Sequence, residues 1–123
     1  NFEYVDFKKA TTLYRNLNQK DLEFKSKFQN KLEKLKSIIE SKNFKPIFIT
    51  QLKFDGLKDK KLFLVNNELK LFAETNGYFL IPLDEILNMQ VNDFYDKIHT
   101  TPQGSKRIAN TIYPLLLNFF EKN

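Results

Sequence analysis

The chain has 123 residues, which is enough for one hydrophobic core and too few for two comfortable ones, so we predict a single domain over residues 1–123. Its composition, 41% hydrophobic and 28% charged with 13 Phe, is that of a globular protein with large rings to fill a small core. It has no cysteine, which excludes disulfides, thiolate metal sites and a cysteine nucleophile.

Positive charge is concentrated in the first half of the chain. Residues 1–61 hold 15 Lys or Arg against 8 Asp or Glu, whereas residues 62–123 hold 5 against 7. Such asymmetry can mark a face for nucleic acid or an anionic membrane. However, only Arg15 and Arg107 are arginines, and arginine is the usual residue for phosphate and base recognition. We therefore expect a solvated lysine face and no nucleic-acid partner.

Several other classes of function are disfavoured by the sequence. The longest nearly uncharged segments, such as IANTIYPLLLNFF, fall short of the ~20 residues that span a bilayer, so we predict no transmembrane segment. The N-terminal NFEYVDFKK lacks the apolar centre of a signal peptide. One histidine with scattered carboxylates makes a poor transition-metal site, and we predict neither a metal nor a cofactor.

The first half of the chain predicts one long helix and one short strand. Residues 1–17 form a lead-in or a short helix. Apolar residues then recur at three- and four-residue spacings from Asn18 or Asp21, either of which can cap the start, to Asn43. KPIFITQ, residues 45–51, is typical of a buried parallel strand. QLKFDGLKDK follows as a loop that turns at Asp55 and Gly56.

The second half predicts helix, strand, loop and helix. The helix covers about residues 60–75, and Gly77 after Asn76 supplies its left-handed end. YFLIPLDEI, residues 78–86, predicts a second buried strand. The last helix begins at Pro102 behind a Thr100 or Thr101 cap, and we expect Pro114 to kink it.

This alternation of helices and strands predicts an α/β fold with a parallel sheet and right-handed crossovers. Two parallel strands would leave open edges, and doubly wound domains usually have at least four or five strands. We therefore expect the chain to be the second half of such a domain.

The only histidine follows an aspartate by three residues, in Asp96-Lys97-Ile98-His99. On a loop after a strand, the Asp96 carboxylate can reach the His99 ring and fix its tautomer, leaving the other nitrogen to accept a proton. A lone histidine is more often a surface residue, and Asp93 and Asp96 can equally be loop formers that bond nearby N–H groups. Local chemistry alone favours the surface histidine.

The block DKIHTTPQG, running into SKRIANTIYPLL, resembles the last motif of the SGNH (GDSL-type) hydrolases. KPIFITQ and YFLIPLDEI are similar to strands of that family, and the resemblance covers about residues 22–120. It implies the C-terminal half of a flavodoxin-like three-layer α/β/α sandwich with parallel strands, acting on a small ester or acylated substrate. In this interpretation Asp96 orients His99, and His99 is the general base for a serine nucleophile.

The sequence departs from the family pattern because the blocks that carry the nucleophile and the oxyanion hole are absent. We assign no nucleophile among the serines Ser26, Ser37, Ser41 and Ser105. The expected function is thus the C-terminal part of a serine esterase or acyl hydrolase, inactive and poorly stable alone, with the serine on a preceding segment. The alternative is a non-catalytic basic α/β module that binds a protein or an anionic partner.

Overall fold

The computed structural model describes residues 3–123; Asn1 and Phe2, which belong to the predicted lead-in, lie outside the described residues. Its elements, in chain order, are α1 (Phe7–Leu13), α2 (Gln19–Lys42), β1 (Ile47–Ile49), α3 (Lys60–Asn76), β2 (Phe79–Ile81), α4 (Leu83–Ile86), a 3-10 turn (Val91–Asp93) and α5 (Pro102–Lys122).

The ends of α2 follow from local chemistry, and its prediction is confirmed. The Asn18 side chain accepts a hydrogen bond from the Asp21 N–H at 2.9 Å, and the Asp21 carboxylate accepts one from the Asn18 N–H at 3.0 Å. This reciprocal box satisfies N–H groups that have no partner inside the helix. At the other end Asn43 has φ +53°, the left-handed conformation that ends helices.

Caps also define α3 and α5 where the sequence predicts them. Asp59 accepts from the Lys61 N–H at 2.9 Å to begin α3, and Gly77, at φ +70°, ends it. Thr101 accepts from the Gly104 N–H at 3.1 Å, with Pro102 as the first residue of α5. The helix continues through Pro114 to Lys122, and the kink remains a prediction.

The two predicted strands are much shorter than expected. Only Ile47–Ile49 and Phe79–Ile81 pair, in parallel, with Ile47 opposite Phe79. Pro82 follows β2 directly and has no N–H to continue the ladder, and residues 83–86 turn into α4. The prediction of a strand over residues 78–86 is therefore wrong beyond Ile81.

The small sheet nevertheless has helices against both faces. Successive strand residues point to opposite faces, so Phe48 lies on one face and Phe79, which is opposite Ile47, lies on the other. The Phe48 ring contacts Phe72 of α3, with ring centroids 5.9 Å apart. The Phe79 ring contacts Phe119 of α5 at 4.8 Å. Thus α3 and α5 lie on opposite sides of β1 and β2.

The predicted flavodoxin-like three-layer α/β/α sandwich is wrong. The structure is 63% helix and 9% strand, with a single two-stranded sheet in residues 3–123. Strands of three residues give only a short ladder, and all of β1 is half-buried rather than buried. In place of a large sheet, helix α2 packs extensively against helix α3.

The main core cluster lies between α1, the loop after β1 and the start of α3. Its fully or nearly fully buried members are Val5, Ala10, Leu57, Phe63 and Leu64. Backbone hydrogen bonds join Val5, just before α1, to the loop after β1. The Val5 N–H donates to the Asp55 carbonyl at 3.0 Å, and the Leu57 N–H donates to the Val5 carbonyl at 2.8 Å. Loop 53–59 is thereby attached to the core by backbone hydrogen bonds.

The helices in residues 3–123 are too short or too polar to cross a bilayer. This is consistent with the prediction that the sequence contains no transmembrane segment.

Candidate active site: the Asp96–His99 pair

The predicted site lies on a tight turn between the 3-10 turn and α5. Phe94 and Thr100 form an antiparallel bridge, and the Tyr95 N–H donates to the His99 carbonyl at 2.8 Å. These bonds close residues 95–99 into one loop, which we call the dyad turn. The loop geometry does not depend on a long strand before it.

Asp96 organises the dyad turn with both of its carboxylate oxygens. Oδ1 accepts from the Ile98 N–H at 2.9 Å and from the His99 N–H at 2.7 Å. Oδ2 lies 2.7 Å from Nδ1 of the His99 ring. The structure thus brings the two predicted residues together, and it also makes Asp96 a loop former. The two interpretations of the sequence are compatible.

Charge and protonation at this pair follow from those bonds. The N–H groups of Ile98 and His99, followed by the His99 ring, lower the pKa of Asp96 from 3.8 to about 2. Asp96 is therefore an anion at neutral pH and can only accept hydrogen bonds. In the neutral form of the imidazole, Nδ1 therefore carries the proton that is donated to Oδ2, and Nε2 carries the lone pair.

The His99 ring is open to solvent. Its side chain is 70% exposed and that of Asp96 is 55% exposed. Within residues 3–123, no hydrogen bond to Nε2 is formed. The basic nitrogen is thus accessible to a hydroxyl group or to water from outside this part of the chain.

Three of the serines in the described chain form hydrogen bonds with groups other than His99. Ser105 Oγ lies 2.7 Å from Thr100 Oγ1, and the hydroxyls of Ser37 and Ser41 donate to backbone carbonyls of α2. Ser26 lies within α2. The assignment of no nucleophile among these four residues remains a prediction.

A buried carboxylate that sequence analysis treated only as a loop former anchors the dyad turn. Asp93 is completely buried, and its Oδ2 accepts from the Gln90 N–H at 2.7 Å and from Nη1 of Arg107. Its carbonyl accepts from the Thr101 N–H at 2.8 Å. Arg107 also donates through Nη2 to the Asn88 carbonyl at 2.8 Å. The pair fastens both ends of residues 94–100 to α5.

Gly104 allows this approach. A Cβ atom at Gly104 would lie 2.1 Å from the Asp93 carbonyl oxygen, closer than any real contact. The glycine in DKIHTTPQG is thus required by the close contact of α5 with Asp93. The sequence signal that could have revealed it is a glycine in the first turn of a helix, where it costs helix stability without an evident local reason.

A second buried carboxylate joins the carboxyl ends of the strands. The Thr50 hydroxyl, directly after β1, donates to Asp84 Oδ1 at 2.7 Å, and Lys70 donates to Asp84 Oδ2 at 2.9 Å. Both Thr50 and Asp84 are about 1% exposed. These residues hold the framework together. In residues 3–123, His, Asp and Glu side chains form no group of three that could hold a metal ion.

Among the hollows in residues 3–123, two lie at opposite ends of the small sheet. One, of about 620 Å³, is lined by residues that precede each strand, including Pro46 and Tyr78. The other, of about 270 Å³, is lined by Lys53, Phe54, Asp55, Lys58, Asp59 and Lys97. Only the second includes a residue of the dyad turn, Lys97, and His99 itself does not line it.

Comparisons with protein-family models, with curated proteins and with solved structures find no match to this chain.

Proposed function

We propose that the chain is the C-terminal part of a serine esterase or acyl hydrolase, in which Asp96 orients His99 as the general base. The observation that carries the proposal is the 2.7 Å contact of Nδ1 with an ionised Asp96, which engages Nδ1 and leaves the exposed Nε2 side of the ring accessible. The resemblance of DKIHTTPQG to the SGNH motif supplies the reaction class. Because the flavodoxin-like fold that this resemblance also implied is wrong, the motif and the Asp96–His99 geometry are what support the proposal.

The reaction proceeds through two acyl transfers. The serine hydroxyl, supplied by a preceding segment, gives its proton to His99 Nε2 while its oxygen forms a bond to the ester carbonyl carbon. Asp96 stabilises the resulting imidazolium, which protonates the alcohol as the carbon–oxygen ester bond breaks. Water then gives a proton to Nε2 and attacks the acyl-serine, and the serine recovers its proton as the carboxylic acid leaves.

The test is hydrolysis of p-nitrophenyl hexanoate by the full-length protein that contains these 123 residues. We expect His99→Ala to lower kcat by about 10³-fold or more, because general-base catalysis of the serine is lost. Asp96→Asn should cause a loss of similar order, since the Asn side chain cannot hold the same tautomer. Lys34→Ala, at an exposed position on α2, is the matched control. An unchanged rate in His99→Ala would end the catalytic proposal.

The nucleophile can be identified separately. A fluorophosphonate reagent should label one serine of the full-length protein, and His99→Ala should lower the labelling rate. Mass spectrometry locates the serine, and we expect it to lie outside the four serines of this chain. The 123-residue chain alone should take up no label.

One observation favours the alternative, a non-catalytic basic module. No serine in residues 3–123 forms a hydrogen bond with His99, so these residues alone do not assemble a nucleophile and base. Lysines are also exposed along α2, including Lys27, Lys31 and Lys34. If no serine of the full-length protein is labelled, the module that binds a protein or an anionic partner becomes the better account.

A further inference from the structure

A small basic cleft lies beside the dyad turn. Its lining defines what we call the lysine cleft: Lys53, Phe54, Asp55, Lys58, Asp59 and Lys97, around a volume of about 270 Å³. Lys97 belongs to the dyad turn and precedes His99 by two residues. The other lining residues come from loop 53–59. The cleft is therefore assembled from two separate parts of the chain.

The two parts are rigidly connected. The Phe54 N–H donates to the Lys97 carbonyl at 3.3 Å, which joins loop 53–59 to the dyad turn. Gly56, at φ +73°, lets loop 53–59 turn closely on Val5; a Cβ there would lie 2.4 Å from the Val5 carbonyl oxygen. The cleft and the dyad turn are thus joined through the backbone.

The cleft has one paired lysine and two with no close ion-pair partner. Lys53 lies 2.6 Å from Asp59, and this contact is the main reason why the pKa of Asp59 is lowered. Lys58 and Lys97 are exposed, and among residues 3–123 neither lies within 4.0 Å of a carboxylate. Both residues line the cleft, whose remaining acid is Asp55, and Lys58 also interacts electrostatically with Glu3. The lining therefore carries one net positive charge.

Asp55 sets the strength expected of this site. Its Oδ1 is buried and has no hydrogen-bond partner among the described residues. A carboxylate in the cleft opposes an incoming anion, so the two free lysines should give weak, saturable binding rather than tight binding. Such affinity suits a substrate group that must also leave after each turnover.

Resting on the proposed function, we propose that the lysine cleft binds a small oxyanion group, a carboxylate or a phosphate, on the ester substrate. Lys58 and Lys97 would supply the two positive charges, and the ester carbonyl would then lie toward His99. The cleft is slightly smaller than the ~300 Å³ at which pockets for whole ligands begin, so it fits one substituent of a substrate. Ammonium groups recognise such oxyanions as point charges.

The kinetic test compares two esters of equal chain length on the full-length protein: p-nitrophenyl hexanoate and the p-nitrophenyl monoester of adipic acid. The double variant Lys58→Ala/Lys97→Ala should raise KM for the adipate ester about 5-fold to 10-fold, because two attractions of modest strength are lost. KM for the hexanoate ester should stay unchanged. The control Lys31→Ala/Lys34→Ala removes the same charge from α2 and should change neither value.

Equal effects of the cleft variant on the two esters would overturn the inference. So would an effect of the α2 control as large as that of the cleft variant, since net charge rather than the cleft would then be responsible.

A binding test needs no turnover. Adding adipate or inorganic phosphate to the ¹⁵N-labelled full-length protein should shift the amide signals of Phe54, Lys58 and Lys97 saturably. Neutral adipamide should not, and Lys58→Ala/Lys97→Ala should abolish the shifts. Comparing the two anions distinguishes a carboxylate from a phosphate. Absence of saturable shifts with both would overturn the inference.

The two proposals can fail separately. Saturable shifts without ester hydrolysis would keep the oxyanion site and end the hydrolase proposal. His99-dependent hydrolysis without any shift would keep the hydrolase and end the oxyanion site.

Discussion

Two aspartates that are three residues apart, Asp93 and Asp96, each pair with a basic side chain, but the two pairs differ in burial. Asp93 and Arg107 form a buried pair, with the Asp93 side chain at 0% exposure. Asp96 and His99 form a pair whose side chains are 55% and 70% exposed. The same carboxylate chemistry therefore serves to hold α5 in one case and to present an imidazole in the other.

Burial explains the difference. A buried carboxylate must be fully bonded, and Asp93 meets this requirement with donors from Gln90, Gln103 and Arg107. Arg107 supplies this carboxylate with a positively charged donor. An exposed pair contributes little to stability, but its imidazole can gain and lose a proton in contact with solvent. The buried pair thus stabilises the structure, and the exposed pair is the one for which we propose a chemical role.

The largest effect is expected when the Arg107 side chain is removed from the buried pair. We expect Arg107→Ala to lower the free energy of unfolding by about 3 kcal/mol, because Asp93 is left as a buried charge without its cation. Urea denaturation measures this change. Arg15→Ala, at an exposed position, is the matched control and should change the value by less than about 0.5 kcal/mol. Similar losses in both variants would show that the buried pair has no special role.

A smaller effect is expected at Gly104. Gly104→Ala should lower the free energy of unfolding by about 1–3 kcal/mol, because the added methyl meets the Asp93 carbonyl at 2.1 Å. Gly77 is the matched control, since it has open space but φ +70°. Gly77→Asn should be tolerated because Asn adopts the left-handed conformation, whereas Gly104→Asn should not be. A stabilised Gly104→Ala protein would contradict the close contact.

The smallest effect on stability is expected at the exposed pair, where pH is the sharper probe. The pKa of folded Asp96 is about 2, below its usual 3.8, so its bonds persist above that range and are lost as pH falls through about 2. The ¹³C signal of the Asp96 carboxyl should titrate there. His99→Ala should leave most of this shift in place, because the N–H groups of Ile98 and residue 99 are its largest causes.

A wild-type titration near pH 3.8 would contradict the turn geometry. A full return to that value in His99→Ala would assign the shift to the imidazole instead. Asp96→Asn should leave the urea midpoint of the protein nearly unchanged.

Features that depend on residues close together in the chain were predicted correctly. The ends of α2, α3 and α5 depend on caps such as Asn18, Gly77 and Thr101, each acting within a few residues. The approach of Asp96 to His99 belongs to the same class, since their bond spans three residues and the turn closes on itself. Local sterics and hydrogen bonding are sufficient for such features.

Sequence analysis failed for strand length because an apolar run can pair only as far as its neighbour allows. KPIFITQ and YFLIPLDEI both predict longer strands, but pairing ends where Pro82 interrupts the second one. The flavodoxin-like expectation failed with it. The helices and the Asp96–His99 turn could be predicted from the sequence, because each is set by bonds within one turn of chain. The burial of Asp93 against Arg107, the need for glycine at 104 and the placement of Lys97 beside loop 53–59 could be seen only in the folded protein, because those contacts join residues that are farther apart in the chain.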